Sequence, residues 1–427
     1  MRRTAARRAL ALALVLATTI AAHVRASAAA ADEPLLPADR EVAAVLSQSP
    51  AWRAADQSIG AEQETHRQAL TGPHEWVGSV GVAQRQIRDA SPVNTIEWEA
   101  GLERTLRWPG KRDAADRLGG SRVELARAMR SLAWREQARA LLDRYGSWLR
   151  EREAARVWVE QVALLEAQAD AVAKRQRLGD AARIEQVQVE AALAQAQAQA
   201  VVAEGRAQAA HEALTRQFPA LTFPQPAQLP DPPASPAGDA EWIDAQLAHA
   251  PELESARREL RVAEEQLRLE QLERRPDPTV GLRVGQARNA NEHFVGVVFS
   301  IPFGGEYRAA AARAAGSRAA AAALLREEVQ RRAATDAGLR LREAQLVRSG
   351  WQRARLAQDR LDQAARGLAR AYQLGEGSLV DVLAARRLAS EQQLGAAGAA
   401  VDAWLARWRL MLEAGRLWDC SDFCTGP

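Results

Sequence analysis

Alternation of apolar and polar positions is strongest between residues 96 and 108. Ile96, Trp98, Ala100, Leu102, Leu106 and Trp108 fall on one face, and Glu97, Glu99, Glu103, Thr105 and Arg107 fall on the other. A period of two predicts a strand with one apolar and one polar face, over about 95–108. Arg104 interrupts the apolar face near its end, where a long side chain reaches an interface, and Pro109-Gly110 closes the strand. A partner strand is expected at about 75–86, with Trp76, Val80 and Val82 among Gly78, Ser79 and Gly81. The polar run Arg88-Asp89-Ala90-Ser91-Pro92 joins the two.

Elsewhere the pattern changes to helical periods. Glu41 to Gln68 reads as a helix with Pro50 as an early break or kink, and about Leu118 to Arg177 reads as one long helix without internal Pro. Within it, Trp158, Val162, Leu165, Ala169 and Val172 step by four and three, as in a coiled-coil seam. About sixty residues at 1.5 Å rise make a rod on the order of 90 Å, too long for one compact domain. Leu178-Gly179-Asp180 turns the chain into a second helix, from about Ala182 to Arg216, rich in Ala and Gln. Seven prolines between Phe218 and Pro236 exclude helix interior there and mark a linker, 218–240.

The plan then repeats. A helix from about Glu241 to Arg274 leads to Pro276-Asp277-Pro278. Strands are expected at about 279–287 and 293–302. In the first, Val280, Leu282 and Val284 alternate with Gly281, Arg283 and Gly285; the second carries Val295, Val297, Phe299 and Ile301. A long helix from about Arg308 to Gln373 has its own four-three stripe (Ala357, Leu361, Ala364, Leu368, Ala371), turns at Leu374-Gly375-Glu376, and returns to about Leu417. Local sequence echoes the copies in register. Ser49-Pro50-Ala51 answers Ala250-Pro251-Glu252, Trp108-Pro109-Gly110 answers Ile301-Pro302-Phe303-Gly304, and each Leu-Gly-acid turn precedes an acid six residues past its Gly, Glu185 and Asp381. Echoes in the same order, roughly 195 residues apart, identify a tandem duplication. The fold class is therefore mainly α with a small β part, built from a duplicated unit of helix, β-hairpin and long helical hairpin. The first repeat spans 32–217 and the second 241–419, with a tail at 420–427.

Arg2, Arg3, Arg7 and Arg8 precede the apolar run Ala9 to Ala22, and small residues follow to Ala31. Residues 1–31 thus read as a secretory signal peptide. Without its five arginines the formal charge of +3 becomes about −2. The charge is interleaved along helices, which removes the case for nucleic-acid binding. Cys420 and Cys424 are the only cysteines; in an exported chain they read first as a local disulfide, with a metal site as the sharper alternative. His66, His74, His211, His249 and His293 are scattered, and no nucleophile elbow or phosphate loop accompanies them. No catalytic residue, resident metal or cofactor is expected.

Four strands of about ten residues match the length that crosses a bilayer in a β-barrel. They are too few to close one, and lipid tolerates no open strand edge. Three chains would supply twelve strands and gather the helical rods into a tube, with Glu97, Glu99 and Glu103 facing a wet lumen.

With these features the chain resembles the outer-membrane efflux proteins of the TolC family. The matching pieces are the Pro50 and Pro251 helix starts, the strand exits at Pro109 and Pro302, and Tyr372-Gln373-Leu374-Gly375 leading to Leu379-Val380-Asp381-Val382-Leu383. The strand exit from Arg107 to Arg112 leans toward the CzcC-like metal-cation branch, although no His-rich or Met-rich lining accompanies it.

The resemblance implies a homotrimer in the bacterial outer membrane, with a twelve-stranded barrel continuous with a periplasmic α-helical barrel. It implies an exit duct for metal cations or small toxic compounds, working with a periplasmic adaptor (membrane fusion) protein and an inner-membrane pump of the resistance-nodulation-division type. Type I protein secretion is the alternative duct function. A periplasmic coiled-coil adaptor is a further rival, but it would usually carry one hairpin and several β modules.

Residue by residue, Leu178, Gly179, Asp180, Leu374, Gly375 and Glu376 would be the tips that meet the adaptor. Glu185 and Asp381 would crowd carboxylates at a periplasmic gate and favour cations. Ala384 stands where some relatives carry a second Asp, which thins that acid ring.

Overall fold

The computed structural model describes residues 35–87, 93–234, 238–287 and 292–419. The expected signal peptide, the polar run 88–92, residues 235–237 and 288–291, and Cys420 and Cys424 lie outside the described residues. In chain order the elements are α1 (Asp39–Leu46), α2 (Pro50–Thr71), β1 (Trp76–Ile87), β2 (Val93–Thr105), α3 (Lys111–Arg177), α4 (Arg183–Gln217), α5 (Asp239–Ala248), α6 (Pro251–Glu273), β3 (Thr279–Ala287), β4 (Glu292–Ser300), α7 (Glu306–Gln373) and α8 (Leu379–Glu413). The order repeats from α5 onward. The paired long helices nearly match, at 67 and 68 residues, and their return helices match at 35 each. No described helix is long and apolar enough to cross a membrane.

Several boundaries differ from the sequence pattern. The helix expected at 41–68 breaks at Pro50, one of the two outcomes its sequence allowed, and the one expected at 241–274 is also two helices, because Pro50 and Pro251 occupy first helical positions. A proline there has no N–H to lose but cannot extend the helix before it. Strand β2 stops at Thr105, short of 108. Beyond it the Leu106 amide donates to the Pro278 carbonyl (2.7 Å) and the Trp108 amide to Asp277 Oδ1 (2.8 Å), which draws the chain off the ladder. Helix α3 then begins at Lys111, directly after Gly110 in the left-handed region (φ +86°), rather than near 118. In α7 the expected stripe is displaced. Ala364 and Leu368 are exposed, and the buried positions are Trp351, Gln358, Ala365 and Tyr372, each seven residues from the last.

The chain forms two compact units, each drawing on both repeats. The first comprises residues 35–49, 134–250 and 333–419 of the described chain. Its core is aromatic: Tyr145 stacks on Phe223 (centroids 5.3 Å apart) and lies 5.8 Å from Trp408, which meets Trp404 at 5.3 Å. Burial pushes the Tyr145 hydroxyl above its ordinary range, and that hydroxyl donates to the Leu35 carbonyl, pinning the start of the described chain. The proline-rich segment is held as a strap. Its carbonyls have no helix to serve, so Pro230 accepts from Trp404 Nε1 (2.9 Å), Pro226 from Arg152 Nη2 (2.9 Å) and Pro233 from Arg348. Gly146 admits Leu405 of α8, whose Cδ1 would lie 2.3 Å from any Cβ placed there.

Glu413 closes this unit. Its carboxylate takes Arg139 in two parallel bonds (2.7 and 2.8 Å), with Arg135 at 3.7 Å. Burial alone would raise its pKa, but the hydrogen bonds and charge of Arg139, with Arg135 and Arg340, hold it below 4.5.

The second unit comprises residues 50–133 and 251–332. It holds the four-stranded antiparallel sheet, in the order β1-β2-β3-β4. At the base of the sheet the buried Lys111 ammonium bridges Glu273 (2.7 Å) and Asp277 (2.9 Å). Asp277 is partly buried, which favours its neutral form, yet Lys111, the Trp108 amide and His74 together lower its pKa. A buried ammonium without partners would be costly, so these carboxylates fix where α3 starts.

Removing one partner of a buried ion pair typically costs about 3–5 kcal/mol. Glu413→Ala is therefore expected to lower the midpoint of urea or thermal denaturation clearly, whereas an exposed control such as Glu391→Ala should leave it nearly unchanged. The pH dependence has a definite sign. A depressed carboxylate stabilises the fold above its unfolded pKa and loses that contribution as pH falls through the folded value. Acid unfolding of the wild type should thus include a component below pH 4.5 that is absent in Glu413→Ala.

Candidate channel and helix-tip sites

Register assigns every strand residue to a face. On one face lie Trp76, Val80 and Val82 of β1, Ile96, Trp98, Ala100 and Leu102 of β2, Val280, Leu282 and Val284 of β3, and Val295, Val297 and Phe299 of β4. This face is bare: Val80, Val82, Val295 and Val297 are 80, 74, 75 and 77 % exposed. A contiguous exposed apolar face of this size marks contact with another apolar phase, protein or lipid. Along the strands it is bounded by polar groups at the hairpin-turn end, Gln84, Gln86, Asn94 and His293, and by Trp76 and Arg104 at the helix end.

The opposite face is rich in glycine and charge, with Val77, Phe294 and Val298 among its apolar residues. Gly81, Gly101, Gly281, Gly285 and Gly296 alternate with Arg85, Glu97, Glu99, Glu103 and Arg283. Arg85 pairs with Glu97 (3.1 Å) and Arg283 with Glu103 (3.4 Å), while Glu99 stays exposed. The three glutamates picked out by the sequence pattern therefore share one face, and two of them are tied to arginines. The sheet's two edge strands, β1 and β4, each pair on one side only.

In the first unit both helical hairpins end in the same turn. The Asp180 amide donates to the Arg175 carbonyl (2.9 Å) and the Gly179 amide to Gln176 (3.0 Å). In the second hairpin Glu376 donates to Ala371 (2.9 Å) and Gly375 to Tyr372 (3.1 Å). These are Schellman caps. They require left-handed backbone at Gly179 (φ +82°) and Gly375 (φ +83°), which glycine adopts without steric cost. Leu178 and Leu374, just before each glycine, are exposed apolar side chains presented at the tips. The return helices start differently. Ser378 caps α8 by accepting from the Val380 amide (3.1 Å), while Ala182 gives α4 no side-chain cap.

The two acids are not equivalent. Asp381 is exposed and has no hydrogen-bond or ion-pair partner among the described residues. Glu185 is half-buried and accepts from the Tyr372 hydroxyl of α7. Tyr372 is buried with Val172, Val189, Leu379 and Val382, one residue from each of α3 and α4 and two from α8. Arg175 lies over its ring, 4.7 Å from the centroid. Burial, then the hydrogen bond and charge of Glu185, push the Tyr372 pKa up to about 12. The hydroxyl therefore keeps its proton throughout the physiological range, and the bond to Glu185 persists. The sequence pattern passed over Tyr372 as a contact to the acid; its signal was an aromatic residue at the last position of the buried seven-residue series.

The histidines do not assemble. His66 bonds Asp116 (2.8 Å), His211 lies against Trp148, and His249 bonds the Ala245 carbonyl (2.9 Å). Among the described residues no group of three or more His, Cys, Asp or Glu side chains is placed to hold a metal ion.

No protein-family model matches the chain, and no curated protein matches it by sequence. Solved structures do match. The outer membrane protein VceC of Vibrio cholerae is 16 % identical, with a TM-score of 0.70 over 89 % of this chain and 97 % of that one. The CmeC outer membrane channel of Campylobacter jejuni is 13 % identical, with a TM-score of 0.69 over 92 % and 88 %. The open-state MtrE outer membrane channel of Neisseria gonorrhoeae is 17 % identical, with a TM-score of 0.66 over 89 % and 90 %.

Losing a helix N-cap typically costs about 1 kcal/mol. Ser378→Ala should accordingly speed hydrogen exchange at the first-turn amides of α8, around Val380, about fivefold. The uncapped start of α4, around residues 183–186, should be unaffected.

Proposed function

We propose that this chain, which has the fold of the TolC-family outer-membrane channels, is a passive exit duct of the bacterial outer membrane. Three copies would place twelve strands edge to edge, joining each β4 to a neighbouring β1. The observation that carries this reading is the sheet itself. It has a bare apolar face, a Gly-rich charged face and two open edges, and closure with lipid outside and water inside provides for all three. The helical hairpins would continue the duct into the periplasm as an α-helical barrel. Their tips (Leu178, Gly179, Asp180, Leu374, Gly375 and Glu376) would meet a periplasmic adaptor protein coupled to an inner-membrane pump of the resistance-nodulation-division type. Glu97, Glu99 and Glu103 would face the lumen. The transported class is metal cations or small toxic compounds, and the transport step itself needs no catalytic residue.

The gate reading follows from the unequal acids. Exposed and unpaired, Asp381 would form a ring of three carboxylates whose mutual repulsion and preference for cations tune the narrow end. Glu185, held by Tyr372, would instead fasten α4 to α7 and keep the tips together. Hydrogen bonds to charged groups contribute about 1.5–3 kcal/mol each, so three such bonds would give a closed state that is firm but reversible.

Planar-bilayer recordings of the reconstituted protein test this directly. Asp381→Ala should raise conductance and weaken cation preference, while Tyr372→Phe should raise the open fraction with cation preference kept. Unchanged conductance and selectivity in both variants would remove the gate assignment. For cargo, a deletion strain challenged with metals, dyes and antibiotics should lose tolerance to one class. Sensitivity confined to divalent metals would favour the metal-cation branch.

A further inference from the structure

We propose that each chain holds the phosphate of a glycerophospholipid at the helix end of its sheet, in the leaflet facing the periplasm. This rests on the duct reading. Within the second unit an open cavity of about 960 Å³ lies between the end of α2, the start of α3 and the start of β1, with Trp76, Arg104, Arg107 and Lys111 on its wall. Lys111 is spent on Glu273 and Asp277, which leaves the two arginines to recognise a ligand.

Arg104 is posed for this task. It stands opposite Trp76 in the ladder, on the bare apolar face, at the last position before the helices. Its Nε donates to the His74 carbonyl (3.0 Å) and its guanidinium carbon lies 5.4 Å from the Trp76 ring centroid. That anchoring fixes the plane of the fork, while the two terminal nitrogens have no protein acceptor among the described residues. A fixed, planar, unpaired fork suits an anionic oxygen pair, and phosphate is such a group. Arg107 is half-buried and held through Nη2 by the Ala69 carbonyl (2.9 Å), which adds a second cation on the same wall. Gly72 makes the room, since a Cβ there would lie 2.6 Å from that nitrogen. Glu75 and Glu273 also line the cavity; Glu273 is neutralised by Lys111, and Glu75 is the one acid set against the two arginines.

The surroundings choose lipid over a free anion. Directly above the pair Trp76–Arg104 run Val80 and Leu102, exposed on the same face, so a headgroup at Arg104 would lay its acyl chains along that surface. Trp76, itself exposed, has the amphipathic ring that settles at headgroup level. The duct reading places the helical hairpins on the periplasmic side of the sheet, so this rim would meet phospholipid of that leaflet.

Native mass spectrometry tests the proposal, using the full trimer in nanodiscs of phosphatidylethanolamine and phosphatidylglycerol. The wild type should retain phospholipid. Arg104→Gln combined with Arg107→Gln should retain about tenfold less, the change expected when a charge-assisted hydrogen bond is lost. Arg104→Lys, which keeps the charge but loses the planar fork, should retain less lipid than wild type and more than Arg104→Gln, and the exposed control Arg67→Gln outside the cavity should behave as wild type. Equal retention by the double variant, or equal loss in Arg67→Gln, would overturn the site. Displacement of the lipid by excess glycerol phosphate would identify a small-anion site and overturn the lipid assignment. Should Arg107→Gln impair assembly, Arg104→Gln alone carries the comparison, with the trimer mass as its internal check. A wild type that inserts no conducting pore in the same lipid defeats the duct reading and this proposal with it, a result distinct from a conducting pore that releases its lipid.

Discussion

A backbone N–H or C=O that leaves water must find a partner, and this chain builds a sheet that cannot satisfy that rule alone. Strands β1 and β4 each keep one row of peptide groups unpaired. The face between them carries Val80, Val82, Val295 and Val297 bare to solvent. In water the face is unfavourable, and in hydrocarbon the edges are. Closure with further copies would relieve both. The proposed twelve-stranded barrel is thus the arrangement in which this hairpin pair has no defect left.

The charged groups follow from the same constraint. Arginine–glutamate pairs sit on the Gly-rich face, where water would fill the lumen, and none interrupts the apolar band until Arg104 at its rim. At the base of the sheet, Lys111 with Glu273 and Asp277 sets the first turn of α3. At the tips, polar contacts do a different task. One buried hydroxyl ties α7 to α4, and among the described residues its counterpart in the other hairpin, Gln176, makes no such bond. The two helical hairpins match in length but differ in the contacts at their tips.

What the sequence disclosed depended on local contrast. Alternation in β2 was legible because Ile96, Trp98 and Leu102 differ sharply from Glu97, Glu99 and Glu103. The turns at Gly179 and Gly375 were legible because left-handed backbone demands glycine. The stripe of α7 was misplaced because that helix is rich in alanine, so choosing Ala364 or Ala365 changes the apolar pattern little. Tertiary packing decides it, through Trp351 and Tyr372. The bond from Tyr372 to Glu185 spans 187 residues and depends on how α4 and α7 pack, which no local pattern encodes. The break at Pro251 is a different case: the chemistry was visible, but helical periodicity on both sides hid it.

The two hairpins also differ in height. Strands β1 and β2 have 12 and 13 residues, β3 and β4 only 9 each. Among the described residues, 93–97 of β2 have ladder partners on β1 and none on β3. Five residues at about 3.3 Å each amount to roughly 17 Å of strand. In a closed ring of three chains the outer rim would therefore be crenellated, with three tall hairpins alternating with three low notches. The tall segments carry Gln84, Arg85, Gln86 and Asn94, polar enough to stand clear of lipid. They would be the first parts of the molecule met by an antibody or any other body approaching the cell from outside.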